Sequence, residues 1–126
     1  MPARTPQEVH RLFEEAFQAG DMEALLSLYE PGATLFAQPG PAMTGLPAIR
    51  EILGQFLAMK PRFEMAPAKV LSSGDLALLF SKWTMTAVGS DGEPIAVQGE
   101  TTDVVRRQPN GEWLLAIDNP FGLDWN

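Results

Sequence analysis

The chain has 126 residues, of which 45% are hydrophobic and 20% charged, a balance typical of one globular domain. Its 16 acidic and 9 basic residues give a net charge of −7, which argues against nucleic acid or an anionic membrane as a partner. The absence of cysteine excludes a thiol nucleophile, a disulfide and a thiolate metal site. Together with a first segment that lacks a hydrophobic signal core, it leads us to expect a cytoplasmic protein.

Helical signals open the sequence. The segment T-P-Q-E at Thr5 has the pattern of a capping box and predicts a helix, which Gly20 ends. Asp21 can cap a second helix, whose apolar spacing extends it through Tyr29 to Pro31. Two short helices are therefore expected at the amino terminus.

A strand and a third helix follow. The segment A-T-L-F-A-Q predicts a strand over residues 33–38, and the Pro- and Gly-rich segment 39–45 predicts a loop. Pro47 can begin a helix with one apolar stripe, which ends before Pro61.

The second half changes to strand periodicity. Turn-forming clusters separate four predicted strands, which should pair as an antiparallel meander: 63–72, 76–88, 94–107 and 113–119. The predicted order is ααβαββββ in a single domain, residues 1–126. In this α+β fold, three helices cover one face of a mostly antiparallel sheet.

Alternation along these strands brings a few polar groups to the covered face. Asp103 shares its row with apolar neighbours, and Asn119 lies in the apolar row of the last strand, whereas Asp118 is expected to face outward. Trp83 and Met85 form an inward row of the strand before. His10, the only histidine, falls at the margin of the first helix's apolar arc, and we expect a boundary residue rather than a base.

Several segments resemble a known family. They are E-A-F-Q-A-G-D-M-E-A-L-L-S-L-Y at 15–29, P-G-A-T-L-F at 31–36, M-T-G-L-P-A-I-R-E at 43–51 and the ending at 104–122. These segments resemble the nuclear transport factor 2-like superfamily, which includes ketosteroid isomerase and the SnoaL-like polyketide cyclases. The resemblance covers nearly the whole chain and implies a cone-shaped fold with a curved sheet.

The resemblance also indicates what the site lacks. By position, the oxyanion-hole acid of ketosteroid isomerase falls on Asp103, its hydroxyl donor on Phe13 and its general base near Ala37. Tyr29 matches a supporting tyrosine of some isomerases. Because phenylalanine and alanine cannot replace a donor and a base, we do not expect a standard ketosteroid isomerase.

The expected function is binding of a small, mostly apolar molecule that can carry a carbonyl group. Asp103 is the candidate catalytic residue, as a neutral hydrogen-bond donor. The candidate ligand contacts are Asn119, Trp83, Tyr29, Phe13, Phe17, Met85 and Phe121. Any chemistry would be a cofactor-independent isomerase, cyclase or hydrolase-like reaction, and no metal or other cofactor is expected.

Two alternatives stay open at this stage. The chain can instead be a non-catalytic dimerisation module with a filled cone, and Asp103 and Asn119 can bond only to each other. A pocket of a few hundred Å³ around Asp103 would favour ligand binding. In either case we expect a homodimer through the outer face of the sheet, because Leu78 and Phe80 share a row there with Lys82.

Overall fold

The computed structural model describes residues 2–37 and 41–123. Its helices are α1 (Pro6–Ala19), α2 (Met22–Leu26) and α3 (Leu46–Leu57). Its strands are β1 (Tyr29–Leu35), β2 (Met43–Thr44), β3 (Arg62–Met65), β4 (Lys69–Ser73), β5 (Leu76–Val88), β6 (Pro94–Arg107) and β7 (Trp113–Asp118). No helix in the described part of the chain is long and apolar enough to cross a membrane.

The first helix has the predicted ends. The side chain of Glu8 accepts the backbone N–H of Thr5 at 2.9 Å, which closes the amino-terminal turn. Gly20 adopts a left-handed conformation with φ of 69°, and its N–H bonds back to the last turn. Local sequence chemistry therefore determines both ends of α1.

The second helix is shorter than predicted. It ends at Leu26, and Tyr29 begins β1 instead of extending the helix. The carbonyl of Leu28 accepts the N–H of Leu115 at 2.7 Å, so the chain is already bound to the sheet there. Pro31 has no N–H to offer a continuing helix, and pairing with β7 prevails over the helical spacing.

The sheet has the strand order β2-β1-β7-β6-β5-β3, and β4 also pairs with β5. All of these pairs are antiparallel except β1 with β7. The predicted strand 63–72 is in fact two strands, separated at residues 66–68, and the predicted loop contains β2. Residues 38–40, the end of the predicted first strand and the start of that loop, lie outside the described residues. The α+β class and the meander of the second half are confirmed.

A bulge in β7 changes which side chains face inward. Val104 pairs with Ile117 and Val105 pairs with Leu115, which leaves Ala116 as an extra residue. The extra residue reverses the alternation beyond it, so Asp118 is 7% exposed while Ile117 is 39% exposed. The prediction that Asp118 faces outward was wrong, because regular alternation does not survive a bulge.

The helices cover one face of the sheet and leave an apolar row on the other. Leu71 pairs with Leu78, Leu78 with Val104, and Val104 with Ile117, so the row crosses four strands in register. We call Leu71, Leu78, Val104 and Ile117 the outer row. Three of its members, Leu71, Leu78 and Ile117, are more than a third exposed.

Candidate functional site

A cavity of about 140 Å³ lies between the helices and the inner face of the sheet. Most of its wall is aromatic or apolar, and among its lining residues are Phe13, Phe17, Phe63, Trp83, Met85 and Phe121. Five of these six are predicted ligand contacts. The cavity is smaller than the few hundred Å³ expected for a ligand pocket, yet it is not filled.

Among the described residues, four polar ones from three elements line the cavity. His10 comes from α1, Thr101 and Asp103 from β6, and Asp118 from the end of β7. All four are buried, with exposures between 3% and 7%. Buried polar groups need hydrogen-bond partners, and these residues largely act as partners for one another.

Asp103 faces the interior, as its alternation predicts, and accepts hydrogen bonds from three donors. The hydroxyl of Thr101 donates to Oδ1 at 2.6 Å, and the backbone N–H of Asn119 donates to the same oxygen at 2.8 Å. His10 Nε2 lies 2.6 Å from Oδ2. Donors on both oxygens stabilise a carboxylate, so the geometry favours an ionised Asp103 over the neutral donor expected from the sequence.

His10 bridges Asp103 and a hydroxyl group on β5. Its Nδ1 lies 2.8 Å from Oγ of Ser81, and its side chain is buried. Because an ionised Asp103 can only accept, Nε2 carries the proton of that bond. The prediction of a boundary residue was wrong. The missed signal is helical spacing, since His10 lies three residues before Phe13 and seven before Phe17, which both line the cavity.

Asp118 is the second acid of the site. Its Oδ2 accepts the phenolic hydrogen of Tyr29 at 2.5 Å. Burial raises the pKa of Asp118 well above its usual value, and the nearby charge of Asp103 and a hydrogen bond between the two carboxyl groups raise it further. The bond from Tyr29 opposes this rise but does not cancel it. Asp118, rather than Asp103, is therefore the neutral acid of this pair.

Tyr29 supports the site from outside the cavity lining. Burial and the neighbouring Asp118 raise the pKa of Tyr29 well above its usual value, so it remains a neutral donor. Tyr29, Asp118, Asp103, His10 and Ser81 form one continuous polar chain from β1 to β5. The predicted contact of Tyr29 with a ligand becomes an indirect one, through Asp118.

Two predicted ligand donors are used within the protein. The indole N–H of Trp83 donates to the carbonyl oxygen of Pro120 at 2.7 Å. The carboxamide of Asn119 donates to the carbonyl of Gly122 at 3.0 Å, so it belongs to the turn over residues 119–122 rather than to the cavity. This turn packs closely on β6, where a β-carbon at Gly99 would lie 2.8 Å from the oxygen of Pro120.

Metal binding has no support in the described part of the chain. No group of three histidine or acidic side chains there is arranged to hold an ion. The acids of the cavity instead bond to tyrosine, threonine and histidine partners.

Solved structures share this fold at low sequence identity. A nuclear transport factor 2-like superfamily protein from Salmonella enterica serovar Typhimurium matches with a TM-score of 0.80 and 21% identity, over 90% of this chain and 84% of its own. An NTF2-like protein with a cystatin-like fold from Novosphingobium aromaticivorans matches with a TM-score of 0.79 and 20% identity, over 95% and 80%. A candidate dehydratase of the NTF2-like family from Streptomyces avermitilis matches with a TM-score of 0.74 and 22% identity, over 88% of each chain.

Sequence comparison gives the family. No curated protein matches the chain significantly. The family profile described as SnoaL-like domain matches residues 9–115, which include most of α1, Asp103 and most of the sheet. The structural neighbours confirm the NTF2-like fold that the sequence resembles. The chain belongs to the SnoaL-like domain family.

Proposed function

We propose that this protein binds a small, mostly apolar carbonyl compound in its cavity and moves a proton on it. Asp118 is the acid and Asp103 is the base. The observation that carries the proposal is that both carboxyl groups line one cavity while their surroundings favour opposite protonation states. Such a separation is how one site performs acid and base chemistry at the same pH.

The reaction is an enolisation. Asp103 removes a proton from the carbon beside the carbonyl group, and the electron pair of the broken C–H bond forms a C=C bond. The carbonyl oxygen takes the proton of Asp118, which becomes a carboxylate. The hydrogen bond between the two carboxyl groups then returns the proton from Asp103 to Asp118 and restores the starting state. Return of a proton to a different carbon would give an isomerase.

His10 holds Asp103 in place during this cycle. It contacts the carboxyl group through Nε2 and is itself fixed by Ser81. Its hydrogen bond to Oδ2 fixes the orientation of the Asp103 carboxyl group. His10 is therefore a positioning residue.

The alternative, a dimerisation module with a filled cone, has less support. A space of about 140 Å³ bordered by four buried polar groups is more than a packed core needs. Core cavities are few, and empty ones are apolar. The acids at this one favour a ligand or ordered water over a filled interior.

Hydrogen exchange tests the proposal without knowledge of the natural substrate. Cyclohexanone and acetophenone are incubated with the protein in D₂O near neutral pH, and proton NMR follows the loss of signal beside the carbonyl. The protein should accelerate exchange of at least one of them over buffer. Asp103→Asn should reduce that acceleration by about 10² to 10⁴, the typical contribution of a positioned base.

The control is Glu51→Gln, which removes an exposed acid on α3 and should exchange like the wild type. Asp118→Asn should also lose most of the acceleration, because an amide can donate a hydrogen bond but cannot transfer its proton to an oxygen. Exchange at the buffer rate for both ketones, or undiminished exchange in both variants, would refute the assignment.

A homodimer is the second part of the proposal. The outer row offers a continuous apolar stripe, and on the same face Lys82 of β5 pairs with Glu100 of β6, two outward-facing pairs further along these strands. A second copy of this chain, related by a two-fold axis, can cover the stripe and bring opposite charges together at its edge. The partner surface is then the outer face of the sheet.

A further inference from the structure

The size of the cavity limits the ligand. A cavity of about 150 Å³ lined by apolar side chains holds one benzene molecule. The space beside Asp118 is of the same size, about 140 Å³. Pockets for drug-sized molecules are larger, about 300 to 1,000 Å³. A fused multi-ring compound therefore does not fit wholly inside: part of it would project through the open side of the cavity, or the wall would have to move.

The wall resists such displacement because its rings pack on one another. Phe17 and Phe63 have ring centroids 4.6 Å apart, and Phe63 lies 6.1 Å from Trp83. Trp83 meets Phe121 edge to face at 5.5 Å. Moving one ring would break favourable contacts with the next. The same rings line the cavity and offer aromatic contacts to a flat ligand.

The charge of the cavity limits the ligand further. No lysine or arginine is among the described residues that line it. An anionic ligand would meet the charge of Asp103 without a counter-ion. A cationic ligand would lose its water in an apolar space, and Asp103 already has three donors. An uncharged ligand avoids both costs.

We propose that the cavity selects an uncharged, single-ring molecule whose one carbonyl or hydroxyl oxygen accepts, in place of Asp103, the hydrogen bond of the Asp118 carboxyl group. A single ring with one small substituent is the most that the enclosed part of the cavity holds. The inference rests on the site of the proposed function and narrows its ligand to a class. It holds whether or not the bound molecule is then converted.

The test measures binding alone, by ligand-detected NMR and thermal shift at one protein concentration. Acetophenone is the fitting probe. Ethylbenzene lacks the oxygen, 2-acetonaphthone adds a ring, benzoate adds a negative charge, and a four-ring 3-ketosteroid exceeds the volume. Acetophenone should bind at least about tenfold more tightly than each of the other four. Equal or tighter binding of benzoate or of the steroid would overturn the inference.

A variant with a larger cavity tests whether the cavity volume sets the size limit of the ligand. Phe121 lies on the 119–122 turn and is only partly buried, so Phe121→Ala should keep the fold while it enlarges the cavity. The variant should gain affinity for 2-acetonaphthone relative to acetophenone. An unchanged ratio in a folded variant would show that the wall does not set the size limit.

The outcomes also distinguish this inference from the proposed function. Tight, selective binding of acetophenone without deuterium exchange would support the ligand class and refute the chemistry. Exchange that extends equally to a two-ring ketone such as 2-tetralone would support the chemistry and refute the ligand class.

Discussion

Replacing Asp118 by asparagine should make the protein more stable at neutral pH. The amide keeps the shape of the neutral acid, because its oxygen can accept from Tyr29 and its N–H can donate to Asp103. The native state of the wild type binds a proton at Asp118 more tightly than the unfolded chain does, since burial and Asp103 raise its pKa. Asparagine binds no proton at this position, so its contribution to stability does not change with pH in this way.

The size of the effect follows from linkage. A folded pKa above the unfolded value of about 3.9 makes the native state bind more protons, so the contribution of Asp118 to stability is full below that value and falls as pH rises through the folded pKa. In that pH range, the contribution of Asp118 to the free energy of unfolding falls by at most about 1.4 kcal/mol per pH unit. For a domain of this length, that corresponds to a melting temperature change of about 5 °C per pH unit.

The assay is thermal and urea unfolding from pH 4 to pH 8 at fixed protein concentration. The wild type and Asp118→Asn should be close in stability at pH 4, and the variant should gain on the wild type as pH rises. Tyr29 and Asp103 also face this carboxyl group, and His10 contacts Asp103, but all three are present in both proteins. Glu51→Gln should follow the wild type. A stability difference that is constant or shrinks as pH rises would refute the neutral acid at Asp118.

Three further predictions concern other parts of the molecule. Light scattering should give a mass near twice 13.8 kDa at micromolar concentration, and Leu78→Glu on the outer row should lower it toward one chain; a monomeric wild type would exclude the dimer. A 5-ene-3-ketosteroid should not be isomerised at an appreciable rate, because Phe13 cannot donate and Ala37 cannot accept a proton; efficient conversion by the purified protein would contradict this. Gly99→Ala should cost about 1 to 3 kcal/mol in the free energy of unfolding, because its β-carbon would collide with the 119–122 turn. The control Gly32→Ala has open space around its β-carbon and should cost less than Gly99→Ala.

Sequence alone predicted the features that depend on local chemistry. The capping pattern at Thr5 and the left-handed glycine determine α1, and period-two alternation correctly directs Asp103 inward because β6 is regular around it. The same reasoning could not find the end of α2. There the apolar spacing is helical, and only the pairing of Tyr29 with Leu115, 86 positions away by sequence numbering, makes the segment a strand.

The sequence predicted only part of the site, because the rest depends on contacts between segments that are distant in the sequence. His10 looks like a margin residue on its own helix, and its role appears only when Asp103 and Ser81 arrive from distant strands. Asp118 was assigned to the wrong face because a bulge is a property of two paired strands rather than of one sequence. Once Asp103 is predicted to be buried without a lysine or arginine nearby, the single histidine becomes the best candidate partner, and that step would have found it.

The extra residue in β7 decides which of two neighbouring side chains reaches the cavity. In a regular strand of the same length, Ile117 would take the inward position and Asp118 would face outward. Deletion of Ala116 would remove the bulge but leave Ile117 opposite Val104 and Asp118 opposite Asp103, so the acid would stay at the cavity. The position of the acid therefore depends on chain length and pairing register together, and a relative that lacks Ala116 would present the same acid from a regular strand.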